Sequence, residues 1–366
     1  MIAVASLPIA LLATCAALVA PDAADRTAPR PIAPDRTESR TVHLTQTVTL
    51  HDIPSGAKDV RMWVPIPSDG SWQRVLDRRL VSAPGTWKLV RQDRGRGDFI
   101  YVELADPTEP TASVVVECTV ERTGVHYPLA TMETSGAAQP TMFPAALDWK
   151  APLMEVDARI QKIADEACGG EKDPARQALL LLKTVSAKAD HYSKDPSKPV
   201  CGRGAACDCL DQGGGCCTDL HSLFIALARA RGIPARMQYG YRILDGKAGS
   251  SFDPGYRCWV EYFIPGAGWI PTDVVASDNA GESNPLQWAS LSSTRVWLWE
   301  GRSFELDPPA KAGPIHTMTC GWAEIDGRPI NPVPSRDGKV PAQLRRTVQF
   351  EVLESNRPKD APALPE

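Results

Sequence analysis

Apolar and polar positions change period along the chain. From Thr41 they alternate: Val42, Leu44, Val48 and Leu50 share one face, interrupted only by Gln46. Val60, Met62, Val64 and Ile66 repeat the period of two. Phe99-Ile100-Tyr101-Val102 and the run Ser113 to Val120 follow, with turn residues such as Pro54-Ser55-Gly56 between runs. Such runs predict half-buried strands, so residues 40–128 are expected to form a small all-β, sandwich-like domain. The pattern then turns helical. Val156 to Ala167 predicts a helix closed by Gly169-Gly170, and Asp173-Pro174 starts a second through Leu179-Leu180-Leu181-Leu182. After a loop from Ser193 to Gly215, Leu220, Leu223, Phe224, Leu227 and Ala228 recur at helical spacing until Gly232 and Pro234 end the run. Gln238 to Ile243, Cys258 to Phe263 and Trp269 to Asp273 read as strands, with more expected between Arg295 and Phe304 and near Thr347 to Val352. Helices followed by antiparallel strands predict an α+β domain over 150–330, and 331–366 is expected to hold a last strand and a disordered tail.

Composition changes this picture little. The 366 residues are 43% hydrophobic and 23% charged, ordinary for a globular protein of two domains. A net charge of −4 argues against nucleic acid as the main partner. The N-terminus changes it more. Residues 1–24 are an apolar run ending in small residues, which predicts a secretory signal peptide and an exported protein. No Lys or Arg precedes the run, and a lipid anchor at Cys15 is disfavoured because Thr14 stands where a small residue is usual. Residues 25–39, rich in Pro, Asp, Arg and Ala, read as a disordered linker, and no later segment is apolar and long enough to span a bilayer.

Nine cysteines follow the N-terminal segment, five of them (Cys201, Cys207, Cys209, Cys216 and Cys217) within seventeen positions. In an exported chain this predicts one or two disulfides among Cys201, Cys207, Cys209 and Cys216, with pairing open. The spacing does not fit a two-plus-two zinc site, so no metal is expected. Cys217 has another setting. Three glycines lead into it and a helix leaves from it, and the orphan N–H groups of a helix start favour thiolate over thiol. The competing reading is a buried small hydrophobe.

The ordered motifs carry a resemblance. Cys201-Gly202-Arg203-Gly204, Gly214-Gly215-Cys216-Cys217-Thr218-Asp219-Leu220-His221-Ser222-Leu223-Phe224, Gly232-Ile233-Pro234-Ala235-Arg236, Gly255-Tyr256-Arg257-Cys258-Trp259-Val260-Glu261 and Gly268-Trp269-Ile270-Pro271-Thr272-Asp273 stand in one series. So do Gly301-Arg302 and Glu324-Ile325-Asp326-Gly327. The chain resembles bacterial transglutaminase-like proteins, which share the papain-like cysteine-protease core. The resemblance implies an α+β fold in which a helix bearing the cysteine packs on an antiparallel sheet, preceded by the β-domain. It implies amide acyl transfer or hydrolysis through a thioester, a peptide or protein substrate, and no cofactor. Cys217 matches the nucleophile and Asp273 the orienting acid.

The family's histidine stands two residues before the strand tryptophan, and here that residue is Arg257. Arginine stays protonated and cannot take a proton from a thiol. It could steady a Cys217 thiolate and pair with Asp273. Losing a general base costs about 10²–10⁴ in rate. Two functions stay open: a degenerate fold kept as a peptide-binding module, and an active cysteine enzyme using a displaced base. His221, one helical turn after Cys217, is the first candidate for that base and His316 a weaker one. The resemblance sets Trp259 and Trp269 beside the site as substrate-binding candidates, although their default role is packing.

Overall fold

The computed structural model describes residues 32–92, 96–132, 134, 142–200, 203–280, 284, 288–330 and 342–356. The expected signal peptide, Cys15, Cys201 and the tail after residue 356 lie outside them. The first part of the chain gives β1 (Asp35–Leu50), β2 (Asp59–Ile66), β3 (Gln73–Ser82), β4 (Thr86–Arg91), β5 (Asp98–Ala105) and β6 (Ala112–His126). Next come α1 (Ala158–Cys168), α2 (Pro174–Lys188), β7 (Asp190–His191), α3 (Ala206–Gln212), β8 (Gly214–Gly215) and α4 (Cys217–Ala230). Then follow β9 (Ala235–Arg242), β10 (Arg257–Ile264), β11 (Gly268–Thr272), α5 (Val274–Ala280), β12 (Ser290–Leu291), β13 (Arg295–Glu300), β14 (Trp322–Ile325), β15 (Arg328–Pro329) and β16 (Leu344–Asn356).

The alternating runs form two antiparallel sheets. One has the order β12-β6-β1-β16 with β3 also on β6, and the other the order β15-β14-β2-β5-β4. Val48, Leu50, Val114 and Val116 of the first pack with Val60, Met62, Val64, Ile100 and Val102 of the second. Strands from the far end of the chain complete both sheets: β16 lies along β1 and β14 along β2.

The structure corrects the sequence reading at two places here. Residues 35–39, assigned to the linker, already belong to β1, with Asp35 opposite His126. Their polar composition hid the period, since the inward positions are Thr37 and Arg40, each 3% exposed. Strands β3 and β4 were not foreseen. Both are mostly exposed, so apolar alternation is not needed to hold them.

The second half is α+β. Its sheet has the order β11-β10-β9-β13, and α4 packs on β10 and β9 with α1, α2, α3 and α5 around it. Asp157 and Asp173 cap α1 and α2 through Oδ1, accepting from Ile160 N at 2.7 Å and Ala175 N at 2.9 Å. The expected apolar stripe understates α4: Thr218 to Arg229 is buried without a break, so the helix is wrapped on all sides. Its polar side chains hold the surroundings. Arg229 donates to the carbonyls of Ala146, Asp148 and Ala235 at 3.0, 2.9 and 3.0 Å. Ser222 accepts from Arg302 at 2.8 Å, and the same guanidinium bonds Arg203 O, Gly204 O and His316 O. The Gly301-Arg302 motif is thus a clamp across three loops.

Candidate functional site

The glycine run before Cys217 has a physical reason at each position. Gly213 takes the left-handed conformation (φ 62) that ends α3. Gly214 lies in the parallel pair β7–β8, where a Cβ would sit 2.1 Å from Asp190 O. A Cβ on Gly215 would meet Asp219 Oδ2 at 2.6 Å, and that oxygen accepts the Cys216 N–H at 2.9 Å. Glycines and aspartate together set Cys217 as the first residue of α4.

The Cys217 thiol is not poised as a thiolate. Its hydrogen bond with Cys216 draws its pKa down, but the hydrogen bond with Cys258, burial, and the charges of Cys258 and Asp273 prevail and hold it well above the ordinary value. Cys258 follows Arg257 on β10, and strand alternation turns its side chain inward. Its Sγ lies 3.2 Å from His221 Nδ1 and 3.6 Å from Thr218 Oγ1.

His221 is fully buried beneath the thiols. Its Nε2 accepts the Val274 N–H at 3.0 Å and lies 3.5 Å from Asp273 Oδ1, while its Nδ1 meets Cys258. Nε2 thus faces away from the sulfurs, and Nδ1 is turned to Cys258. Asp273 is engaged as well: Oδ2 accepts from Arg295 at 2.6 Å, and Oδ1 accepts the N–H groups of Val275 and Ala276 at 3.1 Å. Burial would raise its pKa, but the Arg295 charge overrides this and keeps it well below the usual carboxylate range.

A cleft of about 270 Å³ opens over Cys217, and its walls include His191, Arg242, Arg257, Asp273 and Arg295. Arg257 is exposed and donates to Tyr256 O at 2.9 Å; the Asp273 partner is Arg295, not the expected Arg257. His191 escaped the sequence reading. It ends β7 and faces Gly215 across the parallel pair, a neighbourhood created by pairing between segments more than twenty residues apart. Its Nδ1 lies 2.7 Å from Ser193 Oγ and accepts the Ser193 N–H at 3.3 Å. Burial, then His221 and Arg257, push its pKa below the ordinary histidine value and favour the neutral ring.

Other expected site residues lie elsewhere. Trp259 is 1% exposed and packs with Val125, Leu291 and Trp297 on the sheet face away from α4. Trp269 stacks under Arg236, with the guanidinium 3.9 Å from the ring centre, and packs on Phe143. Neither lines the Cys217 cleft, because the residue between Arg257 and Trp259, not Trp259 itself, points at α4. His316 is exposed and bonded to Ser303 at 2.8 Å. Of the cysteines expected in disulfides, Cys207 and Cys209 are free thiols on α3, Cys209 facing the core, Cys216 Sγ lies 3.7 Å from Tyr256 Oη, and Cys201 is outside the described residues. Among the described residues no cluster of His, Cys, Asp and Glu could hold a metal ion.

A thiol at the start of a buried helix, packed on an antiparallel sheet with an aspartate just past the end of β11, has the arrangement of a papain-like core of the transglutaminase type. Residues 161–274 match the transglutaminase-like superfamily. An uncharacterized protein of Haemophilus influenzae is 26% identical over 344 residues, 81% of this chain and 88% of its own length. A candidate cysteine protease of Cytophaga hutchinsonii has the same fold, with a TM-score of 0.53 at 17% identity over 88% of this chain and 93% of that one. The periplasmic domain of TgpA from Pseudomonas aeruginosa aligns at 19% identity over 67% of this chain and 92% of that one, with a TM-score of 0.32 that carries no weight. Among the described residues no helix is long and apolar enough to cross a membrane.

Proposed function

We propose that the protein is an exported peptide- or protein-binding module, a transglutaminase-like fold that retains its cleft without amide turnover. One feature carries this reading: the sequence resemblance sets Arg257, a permanent cation, at the position of the family's proton acceptor. The inner imidazole of His221 turns its accepting nitrogen to Val274, and Asp273 is already held by Arg295. Arg242 and Arg257 on the cleft wall favour a bound segment with acidic side chains. Export rests on the apolar N-terminal sequence.

His191 favours a second reading, an active cysteine acyltransferase or peptidase with a displaced base, because it is a neutral imidazole on the same cleft wall as Cys217. The two readings separate in one assay set. Amine incorporation into casein and peptide hydrolysis are measured for wild type, Cys217→Ala and His191→Ala. The binding-module reading expects wild type to match Cys217→Ala. Wild-type turnover lost in Cys217→Ala sinks it, and loss in His191→Ala as well assigns the base.

A further inference from the structure

On the opposite face of β10 from Cys258 lies a second cavity, of about 110 Å³, where the β-domain meets the core sheet. Its walls include Arg122 of β6, Trp72, and Arg236, Gln238, Glu261 and Glu300 of the core. The inward positions of β6 read Ala112, Val114, Val116, Cys118, Val120 and then Arg122, so an arginine interrupts an apolar face. Arg122 is 2% exposed.

The hydrogen bonds around this cavity are unbalanced in one direction. Every carboxylate on its wall has a donor. Asp69 accepts Val75 N–H at 2.8 Å, Glu261 accepts Arg236 at 2.7 Å, and Glu300 accepts Arg236 at 2.9 Å and Gln238 at 3.1 Å. Trp297 Nε1 donates to Gln238 Oε1 at 2.6 Å. Arg122 Nε, Arg122 Nη2 and Trp72 Nε1, all buried, have no hydrogen-bond partner among the described residues. The orphaned groups on this wall are therefore all donors. Nε and Nη2 form one edge of the guanidinium, whose two parallel N–H bonds match the two oxygens of a carboxylate.

We propose that this cavity is a binding site for a small monocarboxylate, held in bidentate fashion by the Nε/Nη2 edge of Arg122 and capped by Trp72 Nε1. The cavity volume restricts the occupant to a few heavy atoms, and the aromatic faces of Trp259 and Trp297 offer an apolar wall for a short carbon tail. Glu261 and Glu300 disfavour a dianion such as sulfate. Burial lowers the pKa of Arg122 to about 9, against the pull of Glu261, so an anion at its free edge relieves a desolvated charge. The site is independent of Cys217 and of the reading given above for the cleft.

The test uses the purified protein, titrated with acetate and propionate by calorimetry and by 13C-acetate line broadening, with chloride and sulfate as controls. Saturable carboxylate binding that chloride and sulfate do not displace is expected. Arg122→Lys keeps the charge without the fork and should weaken binding by more than about tenfold. Should that variant fail to fold, Ser71→Phe at the exposed mouth should abolish binding in a folded protein. No saturable binding by wild type, equal binding of chloride, or unchanged binding in Arg122→Lys or in Ser71→Phe overturns the proposal.

Discussion

Alkylation of Cys217 should report a thiol, not a thiolate. A cysteine with the ordinary pKa near 8.5 is ionised to about 3% at pH 7. At Cys217 the bond to Cys216 lowers the pKa, while the bond to Cys258, burial, and the Cys258 and Asp273 charges raise it further than that. The ionised fraction at pH 7 therefore falls below about 3%. Iodoacetamide should modify Cys217 at a rate that climbs about tenfold per pH unit from 6 to 8 without a plateau. Peptide mapping by mass spectrometry separates this signal from Cys207, the other half-buried thiol among the described residues. Cys258→Ala removes a bond that holds the proton on Cys217. An ordinary hydrogen bond is worth about 0.5–1.5 kcal/mol, so labelling at pH 8 should rise by about two- to tenfold. Arg257→Ala should change the rate less than about twofold, because its exposed cation is screened by solvent. A labelling rate that is flat between pH 6 and pH 8 would show a populated thiolate and refute the reasoning.

Arg295→Gln leaves Asp273 as a buried carboxylate without its cation, and urea unfolding at pH 7 should show a loss of about 3–5 kcal/mol. Because the folded Asp273 pKa is depressed, its contribution is complete above the unfolded carboxyl value near 3.9 and declines as pH falls below it; Arg295→Gln should flatten that acid limb. Arg229→Met abandons buried carbonyls of Ala146, Asp148 and Ala235, and should lower the urea midpoint by an amount worth about 3 kcal/mol with an unchanged slope. Gly214→Ala drives a Cβ onto Asp190 O, so the β7–β8 pair must part, and hydrogen exchange at the Tyr192 amide, bonded to Gly215 O at 2.9 Å, should speed up by at least about tenfold.

Much of the fold was legible because its signals are local. The alternation from Val42 to Leu50 announced a strand, and the Gly213–Gly215 run announced a crowded helix start, with Cys217 where the motif put it. What the sequence hid is non-local. The two-residue strand at His191 has no period, and only its pairing with Gly214–Gly215 brings the imidazole to the cleft. Arg122 reads as an exposed strand position until its inward register on β6 is known. Cys258 drew no notice beside Arg257 and Trp259, although it is the side chain that reaches both His221 and Cys217.

These contacts change what an arginine at the histidine position implied by the resemblance would mean. If the missing imidazole were the sole defect, Arg257→His would restore amide turnover. The geometry predicts that it does not. A histidine there would need a carboxylate to hold its tautomer and stabilise its charge. Asp273 already accepts from Arg295 and from the Val275 and Ala276 N–H groups, and Cys258 competes for the proton of Cys217. Arg257→His alone should therefore leave amine incorporation within about threefold of Cys217→Ala, because catalytic groups act as a unit and not as a sum. Adding Arg295→Gln frees the carboxylate and adding Cys258→Ala removes the competing sulfur, so any recovery should first appear in the triple variant. Turnover rising by about 10² or more in Arg257→His alone would show that Asp273 exchanges partners readily, and that one residue separates this cleft from an enzyme.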